Sequence, residues 1–191
     1  MVAGIAAMMG APAVSAEGLY AGGNIGFSGG GGEYDNSGLD MTLAGGFILS
    51  SYIGKEFDNA RLEGELTYRQ NDLYYFDFFG PLVGDMSSLA FMANAYYDFG
   101  SKSSTFRPYI GIGLGMANVT MNSVDYATYD TDAAVALQIM IGGSIALSDG
   151  LAMTVDLRSF GAVPTFVDIG GFQYEQAYGV ASLMVGVRQS F

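Results

Sequence analysis

Apolar and polar residues alternate along most of this chain. The clearest case is the stretch 177–191. One face carries Ala181, Leu183, Val185 and Val187. The other carries Tyr178, Ser182, Gly186, Arg188 and Ser190, and the chain ends on Phe191. A period of two marks a strand with unlike faces. The same pattern recurs at 18–28, 38–50, 61–70, 88–99, 106–117, 133–147 and 151–159. Each stretch approaches or exceeds the roughly 9–11 residues that a tilted strand needs to cross a membrane.

The connections alternate in length. The links at 55–58, 100–104 and 148–150 are short, and Asp149-Gly150 is a strong hairpin signal. The links at 29–37, 71–87, 118–132 and 161–175 are long. Short turns at one end and long loops at the other describe a bacterial outer-membrane barrel, with turns and termini in the periplasm and loops outside the cell.

Strand charges decide which face is wet. The five arginines Arg61, Arg69, Arg107, Arg158 and Arg188 share parity with the polar face, as do Glu63, Glu65, Asp98 and Asp156. The aliphatic face carries no charge in any of the eight segments. A soluble barrel or sandwich would turn the charges outward and leave a glycine-rich face in water. A membrane barrel turns them inward, because Arg or Lys facing lipid at the midplane costs roughly 2–4 kcal/mol. The expected fold is all-β, an eight-stranded antiparallel up-and-down transmembrane β-barrel. The interior of an eight-stranded barrel is just wide enough to be filled by side chains. Aromatics near strand ends, Tyr68, Tyr97, Phe99, Phe106 and Phe191, suit the interfacial girdles.

Composition agrees. Only 14% of the 191 residues are charged, against roughly 25% in soluble domains. A net charge of −12 argues against nucleic acid as a partner. The chain has 29 Gly and no Cys, Trp or His. No apolar run reaches the ~20 residues of a spanning helix. Residues 1–16 are apolar and end Ala13-Val14-Ser15-Ala16. They read as a secretory signal peptide lacking the basic residues of its usual start, as a truncated one would. The barrel then occupies 17–191.

The segments Gly18-Leu19-Tyr20-Ala21-Gly22-Gly23-Asn24-Ile25-Gly26, Ala95-Tyr96-Tyr97-Asp98-Phe99-Gly100 and Arg107-Pro108-Tyr109-Ile110-Gly111-Ile112-Gly113-Leu114-Gly115, with the terminal Phe191, resemble the small outer-membrane β-barrel family. That family includes opacity-type and surface-antigen-like proteins and the OmpX- and OmpA-like membrane domains. The resemblance implies an eight-stranded barrel surrounded by outer-membrane lipid and lipopolysaccharide. It also implies that Phe191 presents an assembly signal to the barrel-assembly machinery. It does not fix an activity, since members serve as adhesins, structural proteins and narrow channels.

Two sets of residues carry candidate chemistry. The nine lumen charges should pair, because an unpaired charge there is costly. Asp98 should meet Arg107 beside one short turn. Arg61, Glu63 and Arg188 should share a depth. Glu65 should face Asp156 and Arg158 across the ring. A relay or gate is the functional reading of such a network, and a structural plug is the favoured one. The long links form the second set. They carry ten carboxylates, among them Asp125, Asp130 and Asp132, and no Lys or Arg. They could bind a divalent cation or a basic external protein, or simply be solvated, the commoner fate of charge runs. Tyr74, Tyr75, Phe76, Phe78 and Phe79 could form a binding patch or cap the barrel mouth.

Catalysis is not expected. Absence of His removes Ser-His and Asp-His hydrolases, and there is no G-x-S-x-G elbow. The glycine runs lack the Gly-Lys-Ser/Thr of a phosphate loop, and no cofactor or metal is expected. The function expected is that of a surface protein with a structural, interaction or adhesion role, the alternative being a narrow porin-like channel for small solutes.

Overall fold

Hydrocarbon offers no partner to a peptide N–H or C=O, so a sheet that crosses it must close on itself. In the computed structural model the chain does so. Its strands are β1 (Leu19–Gly32), β2 (Met41–Phe57), β3 (Ala60–Asp77), β4 (Gly80–Asp98), β5 (Phe106–Ser123), β6 (Tyr129–Asp130), β7 (Ala134–Ser148), β8 (Leu151–Ile169) and β9 (Phe172–Ser190). The structure describes residues 18–32, 41–77, 80–123, 129–130, 133–169 and 172–191. Side chains are described to residue 30 on β1, from 44 on β2, to 72 on β3, from 84 on β4, to 122 (except 121) on β5, to 163 on β8 and from 178 on β9.

Eight strands make the wall, each antiparallel to its neighbours. The ring runs β1-β2-β3-β4-β5-β7-β8-β9 and closes where β9 pairs with β1, Tyr20 opposite Ser190. The two-residue β6 pairs with the upper end of β5. This is the eight-stranded up-and-down barrel that the alternation predicts.

Two boundaries differ from the sequence reading. Lys55, Glu56 and Phe57 belong to β2, and the turn narrows to Asp58 and Asn59. Asp58 takes a φ of 45°, a left-handed conformation that Asp tolerates better than most residues. At the other end, much of the links expected at 71–87 and 161–175 is strand. β3 and β4 stay paired to Asp77 opposite Gly80, and β8 and β9 to Ile169 opposite Phe172. The ladder outlasts the sequence signal for a physical reason. Antiparallel pairing is made by backbone N–H and C=O groups, so the ladder can continue where the side-chain pattern does not announce it.

The outward face is apolar. Ile25, Ile53, Phe91, Ile112, Ile139 and Leu183 are all exposed on it. On β2 the outward Phe47 and Phe57 bracket this surface. At about 3.4 Å per residue and a tilt near 40°, their separation spans about 25 Å, the height of an outer-membrane apolar band. Tyr97 and Phe99 pack edge to face at the short-turn end, with Phe57, Phe106 and Phe191 exposed at the same end. Tyr68 packs its ring on Phe47 at the far side of the band.

Inward and outward glycines should answer differently to a methyl group. A Cβ on Gly26 would strike the Leu183 carbonyl and the Met184 Cα, both backbone. Gly26→Ala should therefore cost about 1–3 kcal/mol by overpacking. A Cβ on the outward Gly64 meets nothing within 4 Å. Gly64→Ala should be neutral or gain up to about 1 kcal/mol. Urea unfolding in bilayers, followed by the slower migration of unfolded protein on SDS gels, measures both.

Candidate functional site

The lumen collects the polar side of every wall strand. The nine lumen charges are 0–6% exposed, so each needs a protein partner. At the short-turn mouth, Arg107 Nη1 donates to Glu56 Oε1 at 2.9 Å, and Lys102 Nζ lies 3.9 Å from the same oxygen. Arg107 Nη2 stands 3.8 Å from Asp98, which accepts a 2.7 Å bond from Arg61 Nε. Arg61 Nη1 donates to Glu63 at 2.9 Å, and the Tyr20 hydroxyl donates to the same oxygen at 2.8 Å. Charges thus alternate in sign along the lower lumen, and each gains from its neighbours at low dielectric.

A second layer lies above. Arg158 Nη1 reaches across the ring from β8 to both Glu65 oxygens on β3, at 2.8 and 2.7 Å, and Arg158 Nε donates to Asp156 at 2.5 Å. Thr67 and Asn94 also donate to Glu65. The Tyr109 hydroxyl donates to Asp156 at 3.0 Å. Arg61 joins the layers, its guanidinium 4.4 Å from the Tyr96 ring centre and 4.9 Å from that of Tyr109.

Two arginines have no ion pair among the described residues. Arg188 lies over the Tyr20 ring at 5.2 Å, so it and Glu63 share Tyr20 as a neighbour. Arg69 stacks on Phe160 at 3.8 Å, and Nη2 donates to Gln138 at 3.4 Å. Both sit where a π-face substitutes in part for a carboxylate.

Above Arg69 the lumen changes character. Ala90, Ala117, Ala134, Ala136 and Ala162 line it with Met86, Val119, Phe160, Tyr178 and Val180, all buried. The ion-paired charges therefore occupy the short-turn side of the lumen. On the opposite wall Asn71 ties the rim together. It donates to the Ser28 and Ala44 carbonyls at 3.2 Å and accepts from the Tyr178 hydroxyl at 3.1 Å. These bonds span β1, β2, β3 and β9, next to the bulge that β2 carries between Leu43 and Gly46.

Tyr20, Tyr96, Tyr109, Asn94, Gln138 and Asn71 are central here, yet sequence reasoning passed over them. Inward parity was the available signal for all but Asn71, which falls in a stretch that reads as a link. Among the expected loop residues, Tyr74, Tyr75 and Phe76 fall on β3 and Asp130 on β6, but their side chains lie outside the described residues. Phe78, Phe79, Asp125 and Asp132 lie outside altogether. The described residues hold no group of three His, Cys, Asp or Glu suited to a metal ion.

The family model described as outer membrane protein beta-barrel domain matches residues 1–188. No curated protein sequence matches the chain. Among solved structures, the chain is similar to Neisserial surface protein A, at 17% identity and a TM-score of 0.65, covering 92% of this chain and 98% of that one. It is similar to OprG from Pseudomonas aeruginosa, at 14% identity and 0.65, covering 92% and 96%. It is also similar to the N-terminal β-barrel domain of P. aeruginosa OprF, at 19% identity and 0.51, covering 92% and 98%. At these identities the likeness is one of fold.

The two kinds of arginine should separate in mutagenesis. Glu65→Ala leaves the buried Arg158 guanidinium with Asp156 alone and its Nη1 without a partner, and should cost about 3 kcal/mol of stability. Arg69→Met keeps the volume, removes a cation without an ion pair, and should fall within about 1 kcal/mol of wild type or above it. Urea titration of both variants tests the contrast, which fails if Arg69→Met is as costly as Glu65→Ala.

Proposed function

Because the chain belongs to the outer-membrane β-barrel domain family, we propose that it is a non-catalytic surface protein of the bacterial outer membrane, a closed barrel that holds its long hairpins out to the exterior. The observation that carries this reading is the filled lumen. Ion pairs occupy its short-turn side and a buried apolar cluster its long-hairpin side. Such an interior supports a scaffold better than a conduit. The hairpins are then the exchangeable part, and the sequence concentrates acidic and aromatic residues in them. The long links contain no Lys or Arg, so a divalent cation or a basic protein surface is the chemistry they fit.

This reading orients the barrel with its short turns, Phe191 and the start of β1 in the periplasm. Short turns there and long hairpins outside match the usual asymmetry of such barrels. Phe191 donates its N–H to Leu19 at 3.0 Å, which places the chain end on the seam between the first and last strands. An aromatic at that seam suits a signal read by the assembly machinery.

The alternative, a narrow channel for small solutes, requires the Arg158–Glu65 pair to part and the apolar layer above Arg69 to open. Planar-bilayer recording distinguishes the two. The wild-type barrel should show no steady conductance at neutral pH. Steady current that changes in Glu65→Ala or Arg158→Ala would sink the scaffold reading. On the exterior, replacing residues 74–79 by a Gly-Ser turn should leave the folded band on gels and lower retention of protein-bearing cells on coated surfaces. Unchanged retention would count against these aromatics as the contact.

A further inference from the structure

The lipid-facing wall is not uniform. Over β7, β8 and β9 it is indented by a groove of about 470 Å³. The sides are Ile139 and Ile141 on β7, Leu157 on β8 and Leu183 on β9, all exposed. Between them lie Ser159 and Ala181, which also face outward and stand opposite each other in the β8–β9 register. Two residues nearer the hairpins, the next outward pair is Gly161 opposite Gly179. The nearest atom to a Cβ at either position is a carbonyl oxygen at 3.9 Å, so none of the described residues covers them. Gly29 on β1 stands opposite Ala181 and is equally open. The indentation therefore continues past the described groove toward the long-hairpin end.

The groove belongs to the apolar band, so its occupant must be hydrocarbon. Its depth selects the leaflet. Ala181 lies ten residues before Phe191, which stands at the short-turn end. At about 3.4 Å per residue and a tilt near 40°, Ala181 is about 25 Å above it, close to the far edge of the band. With the hairpins outside the cell, that edge lies in the outer leaflet, where the lipid is lipopolysaccharide. We propose that this groove seats one acyl chain of a lipopolysaccharide molecule, held between the β7 and β9 aliphatic ridges. The proposal rests on the orientation argued above.

The chemistry favours the chain over the headgroup. The long connections carry no Lys or Arg to hold phosphate directly. What the wall offers is a dry, shaped contact, in which many weak dispersion contacts add along a methylene chain. Aliphatic walls with small residues between them provide such contacts where a surface of uniform large side chains would present only their tips.

The test counts bound lipid. Folded protein is incubated in detergent with rough lipopolysaccharide or with phosphatidylethanolamine-phosphatidylglycerol, washed, and examined by native mass spectrometry. The wild type should keep one lipopolysaccharide, and any phospholipid it keeps should be lost with the same groove substitutions, since both carry the methylene chain that the groove contacts. Ser159→Leu and Ala181→Leu fill the groove and should lower retention about tenfold, the effect of taking roughly two methylenes out of contact. Ala95→Leu, outward on β4 away from the groove, should change nothing. Gel migration shows which variants fold, and Ser159→Val replaces any leucine variant that does not. Failure of the wild type to retain lipopolysaccharide, equal retention by groove variants and wild type, or equal loss in Ala95→Leu would each overturn the site. Protease access to the long hairpins in intact cells reads the orientation separately, so a wrong groove and a wrong orientation give different results.

Discussion

A peptide group in hydrocarbon has no partner except another peptide group. In this barrel everything else follows from meeting that condition with a sheet. Eight strands must form a ring, and the ring needs β9 against β1 as much as any hairpin pair. Once the ring exists, each strand has one face to lipid and one to a space only a few side chains wide. Any charge on a strand must then enter that space. The density of ion pairs inside is thus a consequence of closure, and the pairs need not add stability over an apolar filling of the same shape.

The lumen meets this demand unevenly. Toward the short turns, Arg61 and Arg158 each bridge two carboxylates, and tyrosine rings and hydroxyls take up what remains. Farther up, alanines and valines replace them and Phe160 covers the last arginine. Arg69 marks the border between the two regimes. Its stacking on a ring, with one long bond to Gln138, is the arrangement expected where carboxylates have run out but the strand still carries a cation.

How much of this the sequence disclosed depends on the range of the interaction. Parity placed Leu183, Val185 and Val187 outside and Arg188 inside, because a period of two is local. Glu65 opposite Arg158 was legible too, since counting strands around a ring of eight puts β3 across from β8. The partners of Arg188 and Arg69 were not legible. Those arginines rest on Tyr20 and Phe160, and nothing in the spacing of residues states which inward ring meets which guanidinium. Asn71 was hidden for another reason. It falls in a stretch that reads as loop, and the Ala44 carbonyl it bonds lies in the bulge of β2, which no sequence pattern announces. The length of the β3–β4 and β8–β9 ribbons was not legible because their pairing rests on backbone hydrogen bonds, which no alternation of side chains has to announce.

Those ribbons have a consequence for how such a sequence can drift over generations. Within the lipid a change on the inner face meets ion pairs and touching backbones, and a change on the outer face meets hydrocarbon, so two separate filters act on every position. Past the lipid the ladder continues on hydrogen bonds that no side chain supplies. A tip on β3–β4 or β8–β9 can therefore exchange residues without consulting the framework beneath it. The chain combines a closely constrained base with ends whose strand pairing rests on the backbone alone, so its two halves tolerate change to different degrees.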